Sequence, residues 1–228
     1  MFSAAETEAL RVSLVVATGS VLVSLPLAVG VAWLLVRGRF AGRTLLDAFV
    51  HLPLVLPPVV VGYLLLVLFG VRGPLGGWLH ATFGIRLAFT TAGAALATAV
   101  MSFPLMVRAI RLSLEGVHPG LEEAACTLGA GPLDRFVSIT LPLMAPGILA
   151  GAVTAFAAGL GEFGAVITFA SNIPGETRTL PLALYTAIQS PDGDRAAARL
   201  AALSLGLGLA GLVAAEWLAR RLRARLGP

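Results

Sequence analysis

Residues 118–142 read HPGLEEAACTLGAGPLDRFVSITLP, a polar island between two long apolar runs. The opening of this island carries the signals of a short helix. Pro119 suits the first helical position, where its missing N–H is not needed. Glu122 and Glu123 fall in the first turn, where the helix dipole favours acids. Gly129 suits a left-handed stop. Leu121, Ala124, Ala125 and Leu128 share one face at helical spacing, and the two alanines would let that face seat closely in a groove. Gly131-Pro132 then starts a second helical segment, and Leu141-Pro142 leads back into apolar sequence. Spacing alone leaves two readings equally open: an amphipathic linker on a membrane surface, or a helix that docks a partner.

The flanking sequence favours a membrane. Of 228 residues, 57% are hydrophobic and 12% charged, and the mean hydropathy is +0.91. A soluble domain carries about 25% charged residues, so this chain lacks the means to coat itself for water, and it is too apolar for disorder. Stretches of about 18 or more apolar residues read as transmembrane helices. Val12–Val36, Ala48–Val71, Leu87–Val107, Phe136–Ser171 (interrupted by Glu162) and Leu200–Ala219 predict an all-α, polytopic membrane protein of about five spans. Thr179–Gln189 is too short to span and is expected as a short helix near the surface. The first run is too long, and its flank too acidic at Glu6 and Glu8, for a cleaved signal peptide, so a retained span is expected.

All sixteen basic residues are Arg, and the net charge is +4. They sit in short clusters between apolar runs, without the aromatic interleaving of a nucleic-acid patch. Ten of the sixteen (Arg37, Arg39, Arg43, Arg108, Arg111, Arg135, Arg220, Arg221, Arg223 and Arg225) fall on one side of a five-span arrangement. The positive-inside rule then places the N-terminus outside, and the C-terminus and the 118–142 island in the cytoplasm.

Several chemistries are excluded or disfavoured. Without Lys there is no Walker A phosphate loop. A lone Cys126 allows no internal disulfide. His51, His80 and His118 are far apart and read as loop or helix-end residues, so no metal site is expected. GxGxxG occurs at Gly159–Gly164 and Gly206–Gly211, but inside apolar runs with no surrounding βαβ unit. Close helix packing accounts better for Gly206–Gly211, and for Gly147 with Gly151. No nucleophile–base set lies within the spans, which leaves a membrane enzyme without machinery and assigns no catalytic residue.

One pattern selects among transport proteins. Glu123-Ala124-Ala125, three residues, Gly129, nine residues, then Ile139-Thr140-Leu141-Pro142 resembles the EAA loop of ABC importer permeases throughout its spacing. HLPLVLPPVVVGYLLLVL (51–68), MSFPLMVRAIR (101–111), GEFGAVITFASNIPGETRTLPLALYT (161–186) and EWLAR (216–220) resemble the molybdate permeases of that class, over nearly the whole chain. Sulfate and tungstate permeases are relatives with similar loops. The resemblance implies one permease domain over residues 1–228, with 118–142 as the coupling loop. It implies that Glu122, Glu123, Ala124, Ala125, Leu128, Gly129, Ile139, Leu141 and Pro142 couple the chain to a separate ATP-binding subunit dimer. That dimer would bind ATP and Mg, and this chain would hold no cofactor. It further implies a second copy of the chain, a periplasmic oxyanion-binding protein, and alternating access along the interface between the two copies. An autonomous channel or secondary carrier would have no need of the loop.

The fourth run suits a pathway. An acid inside a span costs roughly 2.5 kcal/mol or more and tends to face a cavity or partner. Glu162 would repel a dianion, so it is expected to brace a helix break among Gly159, Gly161 and Gly164, or to pair with an Arg. Glu162→Gln is expected to impair transport without disturbing assembly. Thr168, Ser171 and Asn172 offer neutral donors to an oxyanion, though ordinary helix-end roles fit them equally. The outward loops 72–86 and 172–199 would receive the binding protein, with Arg178 and Arg195 as candidate contacts.

Overall fold

A computed structural model describes the backbone of residues 3–226 and the side chains up to Ala214, together with Trp217. Glu216 and the cluster Arg220, Arg221, Arg223 and Arg225 lie outside the described side chains. The described residues are helical, without strands. The elements are α1 (Ala4–Arg37), α2 (Arg43–Val55), α3 (Pro58–Phe69), α4 (Pro74–Phe83), α5 (Thr91–Glu115), α6 (Pro119–Thr127) and α7 (Pro132–Arg135). A π-helical turn (Phe136–Thr140) joins α7 to α8 (Leu141–Leu160), followed by α9 (Gly164–Ala170), α10 (Leu180–Ile188) and α11 (Asp194–Leu226).

Local chemistry sets the long helices. α1 starts in a capping box: the Glu6 N–H donates to the Ser3 hydroxyl at 3.2 Å, and the Ser3 N–H to the Glu6 carboxylate at 2.7 Å. Both orphan donors are thereby satisfied at the helix entry. Buried Ser20 and Ser24 return their hydroxyls to the carbonyls of Ala17 and Ser20, so these two polar side chains are satisfied within α1 itself. α5 begins at Thr90, whose hydroxyl accepts from the Gly93 N–H, and runs on through Pro104.

α1, α5 and α8 form the centre. Small residues set their spacing, as apolar surroundings favour. A Cβ on Gly147 would collide with Ser113 and approach the Ala109 carbonyl to 2.8 Å, and one on Gly151 would meet the Met106 carbonyl at 3.0 Å. The expected packing role of Gly147 and Gly151 is therefore met between α8 and α5. Gly206, Gly208 and Gly211 differ: among the described residues, nothing outside their own helix backbone lies within 4 Å of a Cβ built on them. Helix packing within this chain does not account for that glycine run.

Among the described residues, four helices are long and apolar enough to cross a membrane, and the bent pair α2–α3 makes a fifth if it counts as one span. Here the expected second and fourth spans need correction. Ala48–Val71 is not one rod: α2 and α3 meet at 115°. Leu56 and Pro57 are extended, because a residue before proline is pushed out of the helical region and Pro58 has no N–H to continue the ladder. The fourth run stops at Leu160, breaks over 161–163, and resumes as the seven-residue α9. α4, inside the expected outward loop, was not foreseen.

α10 is the anticipated short helix, but it is anchored in the bundle. Leu180 and Leu182 are buried, and the Leu180 N–H donates to Ser13 of α1 at 2.7 Å. Arg199 of α11 pairs with buried Glu6 at 2.8 Å, tying the last helix to the first.

Candidate functional site

The island at 118–142 folds as its signals suggest. The His118 ring caps α6, accepting the Gly120 N–H at 3.1 Å, and Pro119 takes the first position. Gly129 stops the helix at φ +90°, a conformation in which any Cβ would be strained. The Ala130 N–H then reaches back to the Ala125 carbonyl at 3.0 Å. The backbone is thus fully organised at both ends without help from a partner.

None of the nine α6 residues is buried. Leu121 is 48% and Leu128 88% exposed, Glu123 and Ala124 are exposed, and Ala125 is half-buried. The apolar face therefore points away from the bundle. Leu133 and Val137, at 75% and 50% exposure, extend the apolar surface beyond α6. Ile139 and Leu141 are half-buried at the root of α8, and Pro142 is exposed in its first turn.

Glu122 behaves differently from its neighbour Glu123. One carboxylate oxygen accepts from Arg37 Nη2 at 3.2 Å and from Thr140 Oγ1 at 2.8 Å. The same Arg37 nitrogen also donates to the Val117 carbonyl at 3.1 Å. The sequence suggested Glu122 only as an acid near a helix dipole. Arg37 and Thr140 were missed, because they lie 85 and 18 residues away and no periodicity links them.

The second group lies at the break in the fourth run. Glu162 braces it, as one of its two expected roles required: Oε1 accepts the Ala165 N–H at 2.9 Å, satisfying an orphan donor in the first turn of α9. No Arg pairs with it among the described residues. Gly164 packs on α3, where an added Cβ would stand 2.7 Å from Pro58 Cβ. Facing it, a Cβ on Gly62 would stand 2.7 Å from the Ala165 carbonyl and 2.8 Å from Thr168 Cβ. The two helix breaks are thus interlocked through glycines, and Gly161 stands exposed at the end of α8.

The neutral donors are partly engaged within the chain. Thr168 Oγ1 donates to the Gly164 carbonyl at 2.9 Å, and Asn172 Nδ2 to Thr186 at 2.8 Å. Ser171 takes φ +67°, turning the chain after α9. Arg178 donates to Asn172 Oδ1 at 2.9 Å, just beyond the end of α9; Arg195 is exposed at the start of α11.

His51 corrects the expectation of a loop or helix-end histidine. It lies within α2, with Nδ1 2.9 Å from the Asp47 carbonyl. Asp47 also accepts from Arg111 at 3.1 Å, and Arg111 from its Nε donates to Glu115 at 2.8 Å. This charged cluster joins α2 to the end of α5.

Comparison with known proteins follows the same outline. The family described as "Binding-protein-dependent transport system inner membrane component" matches residues 24–224. The molybdenum transport system permease protein ModB of Escherichia coli (strain K12) is 60% identical over 222 residues, 97% of each chain. The sulfate transport system permease protein CysT of the same organism is 44% identical over 167 residues, 73% of this chain and 60% of that one. Among solved structures, a bacterial ABC transporter involved in the import of the acidic polysaccharide alginate superposes with a TM-score of 0.76 at 17% identity, over 96% of this chain and 80% of that one.

Proposed function

The chain belongs to the binding-protein-dependent transport system inner membrane component family, and from that premise we propose that it is the membrane-spanning subunit of an ATP-driven molybdate importer. It is a multi-pass, non-catalytic subunit. ATP and Mg bind a partner ATPase, two copies of this chain form the pathway, and a periplasmic protein delivers the oxyanion. The single observation that carries the coupling role is the bare apolar face of α6, with Leu128 88% exposed on an otherwise capped helix. Such a face has no use within the chain and suits a groove on an ATP-binding subunit. The cargo rests on the similarity to molybdenum permeases, which spans nearly the whole chain, against the shorter and weaker similarity to sulfate permeases. Under this reading the N-terminus lies outside and the C-terminus in the cytoplasm.

Uptake by vesicles holding this chain, its ATPase and its binding protein tests the reading. Labelled molybdate should accumulate only with ATP inside the cytoplasmic compartment. Unlabelled tungstate should compete strongly, because it shares charge and tetrahedral shape, and sulfate weakly. Sulfate competing as well as molybdate would make this a sulfate permease.

Gly161, Glu162, Gly164, Thr168, Ser171 and Asn172 are proposed to border the pathway, with Glu162 shaping it rather than binding cargo. The geometry refines the expected effect of mutation. A Gln at 162 can still accept the Ala165 N–H, whereas Ala cannot. Glu162→Ala should lose a cap worth about 1 kcal/mol and reduce uptake about fivefold, with Glu162→Gln much milder. Equal losses in both variants would assign the role to charge instead of the hydrogen bond.

A further inference from the structure

Short peptide segments with glycines at 116, 129 and 131 join α6 to the bundle. They are held by buried Val117 on one side and by the Ala130 to Ala125 hydrogen bond on the other. A side-chain contact from α6 to the spans would add a direct route for movement of a docked subunit. Among the described residues, one α6 side chain alone hydrogen-bonds beyond the α6 segment, and it is Glu122.

Its partners are well placed for that task. Arg37 occupies the last turn of α1, and Thr140 is the final residue of the π-helical turn that opens α8. Thr140 is 2% exposed, and the side chains of Arg37 and Glu122 are 21% and 24% exposed, so the node is sheltered from water. Charge-assisted bonds in such a setting are stronger and more directional than neutral ones. The π-helical turn ends with the Leu141 N–H bonded to the Phe136 carbonyl, one residue beyond α register. Such turns occur frequently at functional sites, and this one ends at Thr140 itself.

We propose that Glu122 is a positioning residue that carries the movement of α6 into two spans at once, α1 through Arg37 and α8 through Thr140. This rests on the reading of α6 as the ATPase-docking helix, but it gives Glu122 the opposite direction from its apolar neighbours. Leu121 and Leu128 hold the partner, while Glu122 holds the bundle. Loss of Glu122 then leaves the partner attached but without this direct route.

The test uses the complete complex in vesicles, with Glu122→Ala, Thr140→Val and the double variant. Three quantities are read: co-purifying ATPase, ATP hydrolysis, and oxyanion uptake per ATP hydrolysed. Thr140→Val keeps shape and, being buried, leaves the docking face untouched. Thr140→Val, which lies outside the docking face, should retain assembly and basal hydrolysis; for Glu122→Ala both are measured, so that uptake is judged per ATP hydrolysed by the assembled complex. Uptake per ATP should fall about tenfold, as expected for loss of a bond to a charged group. The double variant should be no worse than the poorer single, because both remove the same connection. Unchanged uptake per ATP in Thr140→Val would overturn the proposal, as would a Glu122→Ala defect that merely follows lost assembly. Failure of the importer reading itself would appear in the unaltered chain, as absence of ATP-dependent uptake.

Discussion

Replacing Leu121 and Leu128 together with Asp should release the ATP-binding subunit and bring uptake to background, while the permease stays folded. Leu128 is 88% and Leu121 48% exposed, so neither holds the bundle together. Burying a leucine side chain at an interface is worth roughly 1.5–3 kcal/mol, and a carboxylate in the same groove adds a desolvation cost. Two such losses exceed about 3 kcal/mol, or more than a hundredfold in affinity at about 1.4 kcal/mol per tenfold. Affinity of the purified permease for the ATPase, measured beside its thermal unfolding, separates docking from folding. Retained binding at full strength would mean that α6 lies on the membrane surface, the alternative its spacing left open.

Gly164→Leu should abolish uptake for a different reason. Its Cβ would already stand 2.7 Å from Pro58 Cβ, and Gly62 approaches the Ala165 carbonyl equally closely from the other side. Overpacking of this kind typically costs 1–3 kcal/mol in a core, and here it must separate α3 from α9. The chain would then lose both stability and the shape of the break that Glu162 caps. Gly30→Ala serves as the control, because nothing in the chain lies within 4 Å of its added Cβ. Unfolding temperature and uptake should both fall for Gly164→Leu and neither for Gly30→Ala. Normal uptake by Gly164→Leu would show that the interlock is dispensable.

These two cases mark where the sequence was legible. α6 could be read almost to the residue, because its start and stop depend on local chemistry: Pro119 at the first position, acids in the first turn, Gly129 at φ +90°. Long apolar runs likewise announced α1, α5, α8 and α11. Tandem prolines at 57 and 58 suit a kink in the run Ala48–Val71, but the 115° amplitude depends on how α3 seats against α9, and that contact joins residues far apart in the chain. Glu162 was correctly suspected of bracing a break, since a lone acid among glycines has few other uses. The Arg37–Glu122–Thr140 node was illegible, because side-chain pairing across helices leaves no periodic trace. Gly206–Gly211 meets no neighbour among the described residues: small residues permit close approach without requiring it within one chain.

The interlock of α3 with α9 also constrains how the protein is made. Gly62 is synthesised about a hundred residues before the Ala165 and Thr168 against which it packs, which at ribosomal speed is a delay of roughly 5–20 s. Until then the face of α3 at Gly62 has no α9 backbone against it, so the interlock cannot form while the early segment is emerging. The late segment completes the early one.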